Sequence, residues 1–379
     1  MDLKEARQEI DGINQSILDL FKRRMEAVRA VAEEKKRTGT PIFNGQRERE
    51  ILADVAEAAG EELETYAKIL FQTLMDVSRS YQTRLLDRQG SISLKIKEAV
   101  AATPAIFPNK GTVACQGVEG AYSQIAADRL FGLQKILYFK DFEGVFAAVQ
   151  SGLCSYGVLP IENSTYGTVN EVYDLMQKHR FSIVRSLKLR IDHKLLTKPG
   201  VNLSEVTEVF SHAQAIGQCA RFLAEHPSIK VTVCENTAVA AKRVADSDRR
   251  DVAAIASASC ARLYGLSPLS VHVANNDGNY TRFICISKEG QIFSGADRIS
   301  LTVTVPNTPG SLYYLLAKFC AEGFNLTKLE NRPIEGSDFD VRFYFDFEAP
   351  VLSDRALALL DDLEASCETF TFLGGYTEV

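Results

Sequence analysis

Near the N-terminus, hydrophobic residues fall at Ile10, Ile13, Ile17, Leu20, Val28 and Val31. Steps of three and four draw one stripe down a helix. After Gly12, no glycine or proline interrupts the run until Gly39 and Pro41. The stripe therefore predicts a single rod of roughly 50 Å, at about 1.5 Å per residue. A stripe that long outruns any short partner helix, so the rod is expected to pack along a second copy of itself as a dimer. From about 110 to 290 the texture changes. Strand-like runs such as TVACQG, KILYF, YGVLPIEN, TEVFSH, KVTVC and VAAIAS alternate with helical ones such as DFEGVFAAVQSG and TAVAAKRVAD. Strand–helix–strand repeats predict parallel pairing with crossover helices. Two such series predict two α/β lobes with a cleft between them.

The tail reads differently again. Ile299, Leu301, Val303 and Val305 alternate with polar residues, and so do Phe339, Val341, Phe343, Phe345 and Phe347. PNTPGSLYYLLAKFCAEG reads as loop and helix. SDRALALLDDLEASC reads as a second helix with Ser353 as its cap, and TFTFLGGY as a closing strand. The order βαββαβ suggests a small ferredoxin-like sheet with helices on one face. Linkers at 91–109 and 287–297 separate the stretches. The expected domains are 1–90 (all-α), 109–288 (two α/β lobes) and 297–379 (α+β). A length of 379 residues suits two or three domains.

Composition narrows the function. Forty-three basic residues against forty-nine acidic ones leave a net charge of −6, which excludes a general basic nucleic-acid footprint. No apolar run approaches the roughly 18 residues of a membrane span, and the charged opening MDLKEARQEI is no secretory signal. The eight cysteines are scattered without a C-x-x-C pair. Metal and thiol-redox frameworks are not expected, and a reducing cytoplasm is the default.

Three cations, Arg7, Arg24 and Lys35, interrupt the stripe. Arg24 and Lys35 stand about three turns apart on one face. Long cations can snorkel from the edge of a core stripe. Alternatively, a bound dianion supplies the counter-charge that buried cations need. Further on, IENSTYGT (161–168), SHAQAIGQC (211–219) and NYTRF (279–283) sit where strands run out. Asn163, Ser164 and Thr165 precede a helical run, where they either meet an anion or act as ordinary caps. His212 reads as a base or as a structural histidine. Thr281 has no neighbouring signal that separates it from an ordinary strand threonine.

The segment ARQEIDGIN…LFKRRMEAVRAVAEEK…GTPIFNGQRERE resembles the all-helical chorismate mutase domain, a helical dimer, over residues 1 to about 88. The resemblance implies that Arg24 binds one carboxylate of chorismate and that Arg7 crosses from the partner subunit to bind the other. Lys35 and Gln82 would donate to the ether oxygen, Glu48 would hold the ring hydroxyl, and Arg47 would support the cage. Asn44 stands where members of that family often carry aspartate and would still hydrogen-bond a hydroxyl. The rearrangement needs no nucleophile. Negative charge develops on the ether oxygen as the carbon–oxygen bond breaks, so fixed donors there favour the transition state.

VACQGVEGAYS, VLPIENSTYGTVNEVYDL, IDHKLL, SHAQAIGQC and NYTRF together resemble prephenate dehydratase, with a fold like that of periplasmic binding proteins. Thr281 would be the catalytic hydroxyl, working by positioning and relayed proton transfer. Asn163, Ser164, Ser211 and Gln218 would line the substrate cleft, with Arg282 beside Thr281. Val118 and Ala213 fall where that family commonly has proline. The tail resembles an ACT regulatory domain. Its GSLY (310–313) and ENRP (330–333) match phenylalanine-binding segments, which would place Gly310, Ser311, Leu312, Glu330 and Asn331 at an effector. Asn331 replaces the more usual serine. Together the resemblances imply a bifunctional enzyme of phenylalanine biosynthesis, inhibited by phenylalanine, with no metal or organic cofactor. Its rivals are an enzyme acting on arogenate and a phenylalanine sensor with decayed catalytic domains. The retained cage and Thr281 argue against decay.

Overall fold

The computed structural model describes residues 2–86, 92–276, 278–334 and 341–379. Phe339 of the tail alternation lies outside them. The chain opens with helices α1 (Leu3–Thr38), α2 (Gly45–Leu86) and α3 (Ile92–Ala102). A first α/β series runs β1 (Lys110–Gln116), α4 (Tyr122–Leu130), β2 (Leu133–Phe139), α5 (Phe142–Gln150), β3 (Tyr156–Asn163), β4 (Gly167–Thr168), α6 (Asn170–His179) and β5 (Ser182–Arg190). A second runs β6 (His193–Thr197), β7 (Glu208–His212), α7 (Ala213–Gln218), α8 (Ala220–Glu225), β8 (Lys230–Cys234), α9 (Thr237–Asp246), β9 (Val252–Ser257), α10 (Ala258–Tyr264) and β10 (Ser267–Pro268). β11 (Tyr280–Ser287), β12 (Arg298–Thr304), α11 (Ser311–Glu322), β13 (Leu326–Pro333), β14 (Val341–Glu348), α12 (Asp354–Ser366) and β15 (Thr369–Glu378) complete the chain. It divides into two compact units, 1–98 with 300–372 and 99–299 with 373–379.

In the first unit, α1 is the long rod that the stripe predicts. Asp2 accepts from the Lys4 and Glu5 amides while the Glu5 side chain reaches back, a capping box. Gly39 closes the helix in the left-handed conformation. Ile10, Ile13, Ile17 and Leu20 stay between 51% and 60% exposed, so the stripe has no cover within one chain. α2 is two helices joined at a kink, where Gly60 adopts φ 72° and ψ 166°. The first amides of α3 are capped from α12, Ile92 by Glu364 at 2.7 Å and Ser93 by Asp361 at 2.9 Å. The tail keeps its βαββαβ order, and its strands lie β13-β14-β12-β15. Phe345 and Phe347 are fully buried, and Phe319 of α11 stacks on Phe345 at 5.2 Å between ring centroids. The alternation of the tail is thus the packing face that holds α11.

The second unit has two sheets. One runs β5-β11-β3-β1-β2 and the other β10-β6-β9-β7-β8. β1 pairs parallel with β2 and β3, and β7 pairs parallel with β8 and β9, as the crossover pattern requires. The sheets are nevertheless mixed. β11 runs antiparallel to both β3 and β5, and β6 runs antiparallel to β9. The chain leaves the first lobe after β5 and returns only with β11, so β11 enters the first sheet from the opposite end. The sequence AQAIGQCARFLAEH, which reads as one helix, is two six-residue helices that meet at Cys219.

Candidate active sites

The first site lies in the seam between α1 and α2. The Arg24 guanidinium donates to the Leu74 carbonyl at 3.0 Å and to the Ser78 hydroxyl. Burial pulls Arg24 below its ordinary pKa. Gln82, a turn beyond Ser78, is 6% exposed. Its Nε2 donates to the Ser78 carbonyl at 3.2 Å, and its Oε1 has no hydrogen-bond partner among the described residues. Lys35 Nζ donates to the Ile42 carbonyl at 2.5 Å. The adjacent Phe43 ring lies under the Arg79 guanidinium, which also grips Glu48 and Asp76. Arg24, Lys35 and Glu48, all half-buried, and the buried Gln82 therefore line one seam of donors and acceptors.

Three expected cage members lie elsewhere in the single chain. Arg7 is exposed on α1, about 25 Å along the axis from Arg24. Within one chain the two cations therefore cannot meet one small ligand. Arg47 is exposed and pairs with Glu50 at 3.4 Å. Asn44 Oδ1 accepts from the Arg47 amide at 3.1 Å, so its side chain serves as a helix cap. Ser78 and Arg79 were not legible in the sequence, because serine and arginine in mid-helix carry no pattern of their own. The signal that finds them is their position one turn before Gln82.

The second site is a cavity of about 530 Å³ between the two lobes of the second unit. Thr281 and Asn163 line it from the first lobe, and His193, His212 and Gln218 from the second. Strand alternation on β11 turns Thr281 to the cavity and Arg282 away from it. Arg282 donates to the Tyr376 hydroxyl at 2.7 Å and pairs with Glu378 at 3.1 Å, which ties it to β15. Asn163 Oδ1 accepts from the Thr165 and Tyr166 amides at 2.9 and 3.0 Å, which fixes the amide's orientation. Its Nδ2 then donates to Asn279 Oδ1 and to Thr281 Oγ1, both at 2.8 Å. Thr281 accepts from Asn163, and its own proton is left to point into the cavity.

Two expected cleft residues are placed differently. Ser211 is fully buried and donates to the Ile255 carbonyl at 2.7 Å; the inner face of β7 holds it against β9, off the cavity wall. Ser164 donates to the Gly278 carbonyl at 3.1 Å and accepts from the Tyr280 amide at 2.9 Å, fastening the loop to β11. Gln218 Oε1 lies 2.7 Å from His193 Nε2, which puts the imidazole proton on Nε2. Burial lowers the His193 pKa against the opposing pull of Gln218, and burial lowers that of His212. Both rings are thus held neutral. His212 also caps α7, accepting from the Gln214 amide at 3.4 Å. Tyr166 reaches across the cleft and donates to the Gln214 carbonyl at 3.1 Å. His193 and Asn279 stood inside quoted motifs, but one sequence alone does not separate them from core residues.

In the tail, Gly310 precedes α11 at φ 89°, and a Cβ there would come within 2.8 Å of the Tyr314 ring. Only glycine fits that turn. Ser311 and Thr308 share a hydrogen bond of 2.8 Å, and Leu312 is half-buried. Glu330 and Asn331 lie on β13, opposite Tyr344 and Phe343 of β14.

The family model for prephenate dehydratase matches residues 113–291, and that for type II chorismate mutase matches residues 6–83. The chain is 30% identical over 382 residues to a bifunctional chorismate mutase/prephenate dehydratase of Enterobacter agglomerans, covering 99% of this chain and 95% of that protein. It is 36% identical over 276 residues to arogenate dehydratase/prephenate dehydratase 2 of Arabidopsis thaliana, covering 70% and 72%. The prephenate dehydratase of Arthrobacter aurescens, solved in complex with L-Phe, matches with a TM-score of 0.64 and 27% identity, covering 70% of this chain and 89% of that one. The chain belongs to the bifunctional chorismate mutase/prephenate dehydratase family. It rearranges chorismate to prephenate and converts prephenate to phenylpyruvate in phenylalanine biosynthesis.

Proposed function

We propose that the α1–α2 seam is the mutase site and that the interlobe cavity is the dehydratase site. In the seam, Lys35 and Gln82 serve the ether oxygen while Arg24, with the partner subunit contributing a second Arg7, clamps the carboxylates. Glu48 completes the cage, Asn44 serves it as a helix cap, and Arg47, exposed and paired with Glu50, supports it only from outside. In the cavity, the carboxylate bond of prephenate breaks, its electron pair enters the ring, and the ring hydroxyl leaves as water once it gains a proton. Thr281, with its oxygen already accepting from Asn163, relays a proton to that departing hydroxyl and takes one from solvent in return, so it ends the step as the neutral alcohol. The Asn163–Thr281 hydrogen bond is the observation that carries this reading. Gln218 and His193 form the neutral opposite wall. Arg282 is a positioning residue that holds β11 to β15.

The exposed stripe of α1 supports a homodimer through this helix. Ile17→Glu would place a charge in the middle of the joint. The variant is expected to run as a monomer in sedimentation analysis and to lose mutase activity at the same time, since Arg7 would no longer reach its site. A variant that stays dimeric contradicts the arrangement.

The βαββαβ tail, with its ferredoxin-like strand order, supports an ACT domain spanning 297–379, after a mutase domain of 1–90 and a dehydratase domain of 109–288. Gly310, Ser311, Leu312, Glu330 and Asn331 are its phenylalanine-binding segments. Dehydratase rate is expected to fall as phenylalanine is titrated, and a flat rate contradicts the effector assignment. The unpaired state of all eight cysteines supports a reducing cytoplasm, and no described helix is long and apolar enough to cross a membrane. Arogenate is the second substrate reading, favoured by the name of the Arabidopsis relative. Rates measured side by side on prephenate and arogenate separate the two.

A further inference from the structure

Prephenate carries two carboxylates, yet the wall of the dehydratase cavity holds no lysine or arginine among the described residues and includes two acids, Glu171 and Glu235. The dianion must therefore be met by neutral donors. One group of them stands at the start of α4, where Ala121, Tyr122 and Ser123 line the cavity. Ala121 is the N-cap residue, and it provides no side-chain cap. The Tyr122, Ser123 and Gln124 amides at the head of this nine-residue helix carry the partial positive charge of its N-terminus. An independent feature lies at the same place. Ser123 is only 5% exposed, and its hydroxyl has no hydrogen-bond partner among the described residues. A side chain this enclosed, with its hydroxyl unpartnered and at the cavity wall, leaves a hydrogen bond for a ligand to make.

The chemistry decides which carboxylate belongs there. The ring carboxylate loses its charge as carbon dioxide departs. Strong donors on it would stabilise the substrate more than the transition state and slow the reaction. The carboxylate of the pyruvoyl side chain keeps its charge throughout, so donors there bind without that penalty. We propose that Ser123 Oγ and the amides at the N-terminus of α4 hold the pyruvoyl carboxylate of prephenate. This makes Ser123 a substrate-binding residue, and it rests on the assignment of the cavity to the dehydratase reaction.

The product separates the two carboxylates, because phenylpyruvate retains the side-chain carboxylate and lacks the ring one. Ser123→Ala is expected to raise the KM for prephenate about tenfold or more, the usual scale for a hydrogen bond to a charged group. It should also weaken product inhibition by phenylpyruvate by the same factor. A KM that does not move overturns the proposal. So does a raised KM with unchanged inhibition by phenylpyruvate, which would place Ser123 on the ring carboxylate. Ser123→Gly, with no side chain to seat, repeats the test if the alanine variant fails to fold, and the mutase rate of the same chain reports folding. Thr281→Ala is assayed alongside. If that variant keeps its turnover, the assignment of the cavity has failed. If it loses turnover while Ser123→Ala keeps its KM, only the carboxylate proposal has failed.

Discussion

Thr281→Ala is expected to lower dehydratase turnover by about 10²- to 10⁴-fold, the range for a positioned proton donor, and to leave the consumption of chorismate unchanged. Expulsion of the ring hydroxyl is the step that needs help, since hydroxide is a poor leaving group. The Asn163 amide is locked by two backbone N–H groups and donates to Thr281 Oγ1 at 2.8 Å. That contact fixes the hydroxyl and directs its proton to the cavity. Alanine removes the proton and leaves the Asn163 amide with one partner fewer. The assay follows phenylpyruvate formed from prephenate, with chorismate loss measured on the same preparation. A loss below tenfold would move the proton donor elsewhere on the wall. A fall in both activities of a folded variant would contradict two separate sites.

Lys35→Ala is expected to do the reverse, lowering mutase turnover by about 10²- to 10³-fold, the cost of removing one fixed donor from developing negative charge. Dehydratase activity on supplied prephenate should remain. The Lys35 ammonium rests on the Ile42 carbonyl, a neutral partner that an ether oxygen bearing negative charge can displace. Gln82 offers the second donor: its Nε2 rests on the Ser78 carbonyl at 3.2 Å, a long contact that a charged ether oxygen can likewise replace. Retention of mutase turnover in Lys35→Ala would leave Gln82 and Arg24 to explain the rate, and the assigned role of Lys35 would be wrong.

Periodicity made most of the elements legible. The stripe from Ile10 to Val31 marked α1, and Gly39 ended it where expected. Alternation marked the strands of the tail. The breaks in helices were less visible. Gly60 sits inside a run with strong helical character, and its positive φ interrupts α2 without a proline to announce it. The split at Cys219 follows Gly217 by two residues, and a lone glycine inside a helical run is too weak a signal to announce a break. Strand direction was also hidden, because β11 is a separate return from the second lobe, and local sequence says nothing about which end of a sheet a strand enters.

The site residues divide along a physical line. Thr281, Asn163 and Gln218 stand on motifs at strand and helix ends, and the cavity collects them. Ser211 sits in a motif of the same kind, but the inner face of β7 sends its hydroxyl to Ile255. Arg282 is adjacent to Thr281 in sequence, and the two-residue period of a strand puts it on the other face. Ser78, Arg79, Ser123 and His193 needed tertiary contacts to stand out, because each is an ordinary residue on an ordinary helix or strand until its neighbours are known.

The most direct test supplies chorismate alone to the purified chain at neutral pH and follows the products by NMR. Two working sites on one chain should carry chorismate through prephenate to phenylpyruvate. Prephenate that accumulates and persists would contradict the dehydratase assignment and leave a mutase joined to an idle cavity.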